Sequence, residues 1–191
     1  MVPLRVAFDL DGVLADLDGE LGRHAETLFG ATPRPDLTRR QVSRLWRHVT
    51  CLDSFWETLP ELEPGAVARL AARARDRGWE VIFLTARPEC EGATAQLQTQ
   101  RWLTAHGYPL PSVFVVTGSR GLIASALALD VVIDDRPDHC LDIVADSRAR
   151  AILVWREQER PSLLASAHQD IDVVGSVAEC LERLAARGKA A

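Results

Sequence analysis

Lysine is almost missing from the sequence: the 191 residues contain one lysine, Lys189, against 21 arginines. With 27 acidic residues the net charge is −5, which disfavours a general nucleic-acid coat protein. No run approaches the roughly 20 apolar residues that span a bilayer. The first residues, MVPLRVAF, lead directly into acidic residues, so we expect neither a signal peptide nor a membrane segment.

Cysteine is also scarce, and no two cysteines have the CxxC spacing of a zinc site or a redox pair. We expect reduced, mostly buried thiols in a cytoplasmic protein at Cys51, Cys90, Cys140 and Cys180. The motifs GxxxxGK, GxG, GxSxG and HExxH are missing, which leaves ATPase, dinucleotide-dependent, serine-hydrolase and zinc-protease functions without support.

Short apolar runs alternate with helix-like segments along most of the chain. The runs are nearly all apolar rather than alternating, as is typical of parallel strands covered on both faces. The predicted strands are Leu4–Phe8, Trp79–Leu84, Ser112–Val116, Val131–Ile133, Ala151–Val154 and a weaker Ile171–Val174. The predicted helices are Ala66–Gly78, Ala93–His106, Gly121–Leu129, Asp138–Ser147 and Ser176–Arg187. This order predicts an α/β fold built on a doubly wound parallel sheet.

One stretch interrupts this alternation. About 70 residues separate the first two predicted strands, far more than a single crossover helix needs. We interpret residues 16–63 as a small helical insertion after the first strand. Residues 1–15 and 64–191 then form the core domain.

Two pairs of carboxylates follow predicted strands. Asp9 and Asp11 come after the first strand, and Asp134 and Asp135 follow the fourth. Residues i and i+2 of extended backbone project to the same side, so Asp9 and Asp11 can face one point. Both pairs belong to the carboxyl edge of a parallel sheet, where open α/β folds bind ligands. Gly12 permits a sharp departure of the chain after Asp11.

Carboxylates crowded at one edge repel each other unless a cation offsets their charge, and hard oxygen ligands suit Mg²⁺. Thr85 would add a hydroxyl at this edge, followed by Ala86 and Arg87, and Arg120 would add a fixed positive charge. Any one of the aspartates is better explained as a turn or helix-capping residue. The complete set in this order is not.

These residues resemble the four motifs of haloacid-dehalogenase-superfamily phosphatases. The first motif matches as DLDGV from Asp9 to Val13, and the second as FLTAR with Thr85. Arg120 ahead of a helix fits the third motif, and Asp134-Asp135 in IDDR fits the fourth. The resemblance implies a three-layer Rossmann-like fold, with the helical insertion as the cap at the family's first position.

Within that superfamily, DLDGVLAD and IDDRP are similar to the 5′(3′)-deoxyribonucleotidase group and its uncharacterised bacterial relatives. Two positions depart from that group. The group follows its second-motif threonine with Ser-Pro, where this chain has Ala86-Arg87. Its third motif uses lysine, where this chain has Arg120, in keeping with the scarcity of lysine.

The resemblance also implies roles for individual residues. Asp9 would be the nucleophile that forms an aspartyl-phosphate, and Asp11 the general acid and base. Mg²⁺ would be bound by the Asp9 carboxylate, the Asp11 backbone carbonyl and Asp134. The phosphoryl group would be bound by Thr85, Ala86 and Arg120, and Gly12 and Asp135 would support the site. Arg87 and Arg136 are candidate partners of the carboxylates, while metal ligation by His139 is not expected.

The predicted insertion is basic, with two acidic residues between positions 21 and 50 against Arg23, Arg34, Arg39, Arg40, Arg44 and Arg47. Such a surface could attract an anionic substrate, and a solvated helix face explains it equally well. Trp46, Phe55 and Trp56 could stack on a nucleobase, but core packing is the favoured interpretation.

The predicted function is therefore that of a cytoplasmic Mg²⁺-dependent phosphomonoester hydrolase, with a (deoxy)nucleoside monophosphate as the favoured substrate. A polynucleotide 3′-phosphatase is the enzymatic alternative, and the inserted cap disfavours it. A non-catalytic binding module is the other, although it would be expected to have lost Asp9 or Asp11. We expect a small-molecule substrate and no membrane or nucleic-acid partner, and the sequence leaves a homodimer open.

Overall fold

The computed structural model describes residues 3–30, 36–157 and 171–187. Within these ranges, six parallel strands form one sheet in the order β3-β2-β1-β4-β5-β6. The strands are β1 (Arg5–Asp9), β2 (Glu80–Thr85), β3 (Ser112–Val115), β4 (Val131–Asp134), β5 (Arg150–Val154) and β6 (Ile171–Val174). The predicted doubly wound parallel sheet is confirmed, and each strand lies within one residue of its predicted bounds at either end.

Seven α-helices and one 3₁₀ helix connect or follow these strands in the described residues. The α-helices are α1 (Leu17–Phe29), α2 (Arg39–Thr50), α3 (Ala66–Arg77), α4 (Ala95–Ala105), α5 (Arg120–Ala126), α6 (Pro137–Asp146) and α7 (Val177–Arg187). The 3₁₀ helix is Phe55–Glu57, between α2 and α3. None of the described helices is both long and apolar enough to cross a membrane.

Alternate residues of the four central strands, β2, β1, β4 and β5, enter opposite hydrophobic layers. In β1, Val6 and Phe8 belong to one buried cluster, which also contains side chains of α3, α4 and α7. Ala7 belongs to a second cluster on the other face, with side chains of α5 and α6. The central strands are therefore buried on both faces, which explains why they are mostly apolar.

The predicted insertion contains α1, α2 and the 3₁₀ helix. Asp16 caps α1 by accepting from the Gly19 N–H, and Thr38 and Gln41 form a capping box at α2. Phe55 and Trp56 are buried in the same cluster as Phe8, so core packing is confirmed for both. The division into core and cap itself stays a prediction.

The two ends of this insertion lie side by side. The Asp16 N–H donates to the Pro60 carbonyl, and the Leu62 N–H donates to the Leu14 carbonyl, both at 2.9 Å. Ala15 and Glu61 form an antiparallel bridge between these bonds. The chain therefore leaves the end of β1 and returns to the same place before α3 begins.

Two helical glycines provide a matched test of packing. A Cβ on Gly121 in α5 would overlap the Asp142 carbonyl and lie 2.7 Å from the Asp146 Cβ, both in α6, whereas a Cβ on Gly22 in α1 would meet no atom within 4 Å. We expect Gly121→Ala to lower the free energy of unfolding by about 2 kcal/mol or more. Gly22→Ala should raise it by about 0.5–1 kcal/mol, because alanine is the better helix former.

Urea unfolding of the two variants and the wild type measures these differences. Equal effects of the two substitutions would contradict the close approach of α5 to α6.

Candidate active site

Four polar side chains meet at the carboxyl edge of the sheet. Asp9 ends β1, Thr85 ends β2, Asp134 ends β4, and Arg120 begins α5; all four are buried. Phe8 lies beside Ile133 in the strand register, so the next residues, Asp9 and Asp134, are neighbours. The chain runs from β1 to β2 on one side and later returns to β4 on the other. This point between β1 and β4 is the switch point at which open α/β sheets bind ligands.

Arg120 lies between two of the buried carboxylates. Its Nη2 donates to Asp9 Oδ1 at 2.7 Å, and its Nε lies 3.7 Å from Asp134 Oδ2. Its Nη1 is buried and has no hydrogen-bond partner among the described residues. A buried donor left without a partner costs free energy unless a ligand accepts from it. This guanidinium therefore has an unused donor beside Asp9, which suits an anion.

The start of α5 fixes Arg120. Ser119 caps the helix by accepting from the Leu122 N–H, and its hydroxyl donates to Asp142 at 2.9 Å. The Gly121 N–H donates to the same Asp142 carboxylate at 3.0 Å. The residues on both sides of Arg120 are thus bound to α6, so its backbone is held where its side chain reaches Asp9.

Asp11 is paired with a different arginine. Arg87 Nη2 donates to Asp11 Oδ1 at 2.7 Å, and Nε donates to Oδ2 at 3.0 Å. The Thr85 hydroxyl lies 3.4 Å from the same Asp11 Oδ2. The first pair of carboxylates is therefore divided between two guanidiniums, with Arg120 on Asp9 and Arg87 on Asp11.

The second pair of carboxylates is held by its own segment. The Arg136 N–H donates to Asp134 Oδ1 at 2.9 Å, and His139 Nδ1 lies 3.0 Å from Asp134 Oδ2. Asp135 lies against Gly12, where an added Cβ would be 2.5 Å from the Asp135 Cγ. Gly12 also has φ +85°, which side-chain-bearing residues rarely adopt. Glycine is required there for two reasons, of which the sequence indicated only the conformational one.

Burial and mutual repulsion favour the neutral forms of two of these carboxyls. Burial, followed by the charge of Asp134, raises the pKa of Asp9 well above its ordinary value, and Arg120 opposes this shift. Burial and Asp134 likewise raise the pKa of Asp135 to about 6. The edge therefore carries more negative charge than its two arginines compensate, and an additional cation would be stabilised there.

The donors at this edge fit a hard divalent cation. Asp9, Asp134 and Asp135 supply carboxylate oxygens and Asp11 a backbone carbonyl, which are the ligand types that Mg²⁺ prefers. Across residues 3–30, 36–157 and 171–187, no three acidic, imidazole or thiol side chains are arranged around one metal position. Mg²⁺ usually keeps several waters and takes only one or two carboxylates from the protein, so the residues fit it without a third side chain.

Two of the predicted supporting residues, Gly12 and Asp135, line a cleft at the surface. A cleft of about 210 Å³ opens beside these two residues, with Leu17, Leu62 and Arg156 in its wall. Ala86, after β2, is exposed. A larger cavity of about 730 Å³ lies at the opposite, amino edge of the sheet and contains none of the predicted site residues.

Sequence reasoning identified most of this cluster. Asp9, Asp11, Thr85, Arg120, Asp134 and Asp135 are brought together as predicted, while their functional roles stay predictions. Arg87 contacts a carboxylate as proposed, whereas the Arg136 side chain pairs with Asp138 and only its N–H reaches Asp134. The support from Asp142 and the contact of His139 with Asp134 were missed. Gly121 within a predicted helix was the one available signal for the approach of α6.

The basic residues of the insertion are mostly exposed. On α2 they are Arg39, Arg40, Arg44 and Arg47, and Arg44 also lies over the Phe29 ring at 5.5 Å. Arg34 lies outside the described residues. Trp46 is partly buried against the core cluster.

A comparison with protein families matches most of the chain. Residues 2–161 match the family described as 5′ nucleotidase, deoxy (pyrimidine), cytosolic type C protein. No curated protein sequence matches the chain significantly.

Solved structures share its fold over nearly the whole length. A haloacid dehalogenase-like family hydrolase from Xanthomonas campestris has a TM-score of 0.62 at 13% identity, over 96% of this chain and 95% of that one. A hydrolase from Pseudomonas syringae has a TM-score of 0.60 at 16% identity, over 96% of this chain and 98% of that one. CbbY from Rhodobacter sphaeroides in complex with phosphate has a TM-score of 0.55 at 17% identity, over 93% of this chain and 96% of that one. At these identities the likeness concerns the fold.

The raised pKa of Asp135 predicts that removing its carboxylate increases the free energy of unfolding in a pH-dependent way. In the metal-free protein at about pH 8, we expect Asp135→Asn to raise the free energy of unfolding by on the order of 2 kcal/mol. The folded-state pKa of about 6 lies above the ordinary 3.8, so the folded protein binds this proton more tightly than the unfolded chain. The wild type therefore recovers the lost stability as the pH falls through about 6, completely only below the ordinary value.

Urea unfolding in EDTA at several pH values measures the difference between the two proteins. A difference that stays constant from about pH 8 to about pH 4 would show that Asp135 is not the titrating group.

Proposed function

Since the chain belongs to the family of cytosolic type C deoxy (pyrimidine) 5′ nucleotidases, we propose that it is a Mg²⁺-dependent phosphomonoesterase that acts on nucleoside monophosphates. The family and the fold make it a haloacid dehalogenase-like hydrolase. The metal, the covalent intermediate and the substrate are the parts of the function that we propose. We expect it to act in the cytoplasm.

One observation carries the proposal: a buried arginine with an unused donor lies beside a buried carboxylate. Arg120 binds Asp9 through Nη2, while its buried Nη1 has no partner among the described residues. A phosphoryl group at this position would accept from Nη1 and bring its phosphorus close to Asp9. An anion bound here meets both a fixed positive charge and a nucleophile.

The first step transfers the phosphoryl group to Asp9. Because Arg120 holds Oδ1, we assign the attack to Oδ2, which forms a bond to phosphorus as the bond to the ester oxygen breaks. The departing alcohol oxygen takes its proton from the Asp11 carboxyl, so it leaves as a neutral alcohol. The product is an aspartyl-phosphate on Asp9 and an ionised Asp11.

The second step hydrolyses this intermediate. Asp11 accepts a proton from a water molecule, and the water oxygen attacks phosphorus as the bond to Asp9 breaks. Inorganic phosphate leaves, the Asp9 carboxylate is restored, and Asp11 again carries the proton that the next turnover requires. Two carboxylates two residues apart thus perform nucleophilic and acid–base catalysis.

The remaining residues bind charge. The Asp9 carboxylate, the Asp11 carbonyl and Asp134 would hold Mg²⁺, with Asp135 in support. When bound, the metal would neutralise the carboxylates and the developing charge on the phosphoryl oxygens. Thr85, the Ala86 backbone and Arg120 would donate to those oxygens, whose charge spreads in the transition state.

The substrate class is supported by the family and by the charge of the insertion. The described basic residues of α2 are exposed, in a protein whose net charge is −5. An exposed basic surface attracts an anionic phosphomonoester over the range of the screened field.

Phosphate release from nucleotides and sugar phosphates tests the proposal directly. With Mg²⁺, the wild type should release phosphate selectively from (deoxy)nucleoside monophosphates, and EDTA should abolish the release. Asp9→Asn keeps the shape of the side chain but removes the nucleophile, so its activity should fall by about 10³-fold or more. Full Mg²⁺-dependent activity in Asp9→Asn would contradict the covalent route. Activity only toward 3′-phosphorylated DNA ends would replace the substrate class.

A pair of variants tests the role of Arg120. Arg120→Lys keeps a positive charge beside Asp9, so its kcat/KM should stay within about 10-fold of the wild type. Arg120→Met removes the charge and all three donor nitrogens, and its kcat/KM should fall by about 10²-fold or more. Equal losses in the two variants would show that the guanidinium shape, rather than the charge, is what the site requires.

A further inference from the structure

Arg87 is the second buried arginine of the site and serves only one carboxylate. Its side chain is 0% exposed, while that of its partner Asp11 is 19% exposed. The guanidinium meets both carboxylate oxygens, with Nη2 on Oδ1 and Nε on Oδ2. This two-point contact fixes the plane and rotation of the Asp11 carboxylate, which a single contact would not do.

The guanidinium is itself immobilised from three sides. Its Cζ lies 4.9 Å from the centre of the Trp56 ring and 6.0 Å from that of Trp102. Its Nη1 donates to the Thr99 hydroxyl at 3.0 Å, and that hydroxyl donates to the Ala95 carbonyl at 2.7 Å. Trp56 belongs to the insertion, whereas Trp102 and Thr99 belong to α4. Cation–π contacts of this kind gain strength where water is excluded.

The two arginines differ in what they have left to bind. Each nitrogen of Arg87 has a partner, whereas Arg120 keeps its buried Nη1 without one among the described residues. The second N–H groups of Nη1 and Nη2 lie on a side chain that is 0% exposed, and its only contact with the acidic cluster among the described residues is with Asp11. Any influence it has on the reaction must pass through Asp11.

We propose that Arg87 is a positioning residue that aims the Asp11 carboxyl at the leaving-group oxygen of the substrate. The inference rests on the proposed function, because it assumes that Asp11 is the general acid. Proton donation requires the carboxyl within hydrogen-bond reach of the departing oxygen, and a rotated carboxyl loses that reach. Arg87, which stands where the deoxyribonucleotidase group has proline, would then position Asp11 in this chain.

Substrates with different leaving groups separate this role from a general structural one. An alkyl phosphate such as a deoxynucleoside monophosphate needs a proton on its leaving oxygen, whereas p-nitrophenyl phosphate releases a stable phenolate without one. The ratio kcat/KM reports only the steps up to release of the leaving group, so the second step does not interfere. The experiment compares both substrates in the wild type, Arg87→Met, Asp11→Asn and Arg120→Met.

We expect Arg87→Met to lower kcat/KM for the nucleotide by about 10²-fold and for p-nitrophenyl phosphate by less than about 10-fold. Asp11→Asn should show the same selectivity. Arg120→Met should lower kcat/KM for both substrates alike, because both contain the phosphoryl group. Equal losses for both substrates in Arg87→Met would overturn the inference, as would full activity. A wild type inactive toward both substrates would instead overturn the proposed function.

A milder variant tests the same role if Arg87→Met does not fold. Thr99→Val has nearly the same shape and removes the acceptor of Nη1. We expect it to lower kcat/KM for the nucleotide by about 3- to 10-fold and to leave p-nitrophenyl phosphate within about 2-fold of the wild type. An equal effect on both substrates, or none on either, would contradict the positioning role.

Discussion

The accumulation of negative charge at the end of the central strand is the constraint on which the rest of the site depends. Asp9 and Asp134 are buried side by side because their strands are in register, and Asp11 and Asp135 lie next to them. Buried carboxylates are costly unless they are protonated or paired with cations. Arg120, Arg87 and the metal that we propose all offset this negative charge.

The two arginines are held beside the carboxylates in different ways, because their surroundings differ. Arg120 is fixed by its backbone at the start of α5, which leaves part of its guanidinium unpaired. Arg87 is fixed by its side chain, between two tryptophans and a threonine, and each of its nitrogens donates to a partner. Buried ion pairs contribute little net stability compared with apolar packing. Such pairs fix orientation, which is what the catalysis that we propose for Asp9 and Asp11 requires.

The sheet and the site were predictable from the sequence to different extents. The strands were found within one residue because nearly continuous apolar runs, such as WEVIFL with Glu80 as its one charged residue, reflect burial on both faces. The charged cluster was found because strand order alone brings Asp9, Thr85 and Asp134 to one edge. The contacts of Asp142 with the α5 start and of Trp102 with Arg87 join residues distant in sequence. No local period encodes them, so they could not be predicted.

The adjacent ends of the insertion have an evolutionary consequence. Because Asp16 is bonded to Pro60 and Leu62 to Leu14, the length of the chain between them can change without moving the end of β1. A lineage could therefore exchange this insertion for another while the carboxylate edge stays intact. Trp56 limits that freedom, since it lies within the insertion and touches Arg87. A replacement insertion would have to offer an aromatic ring at the same place.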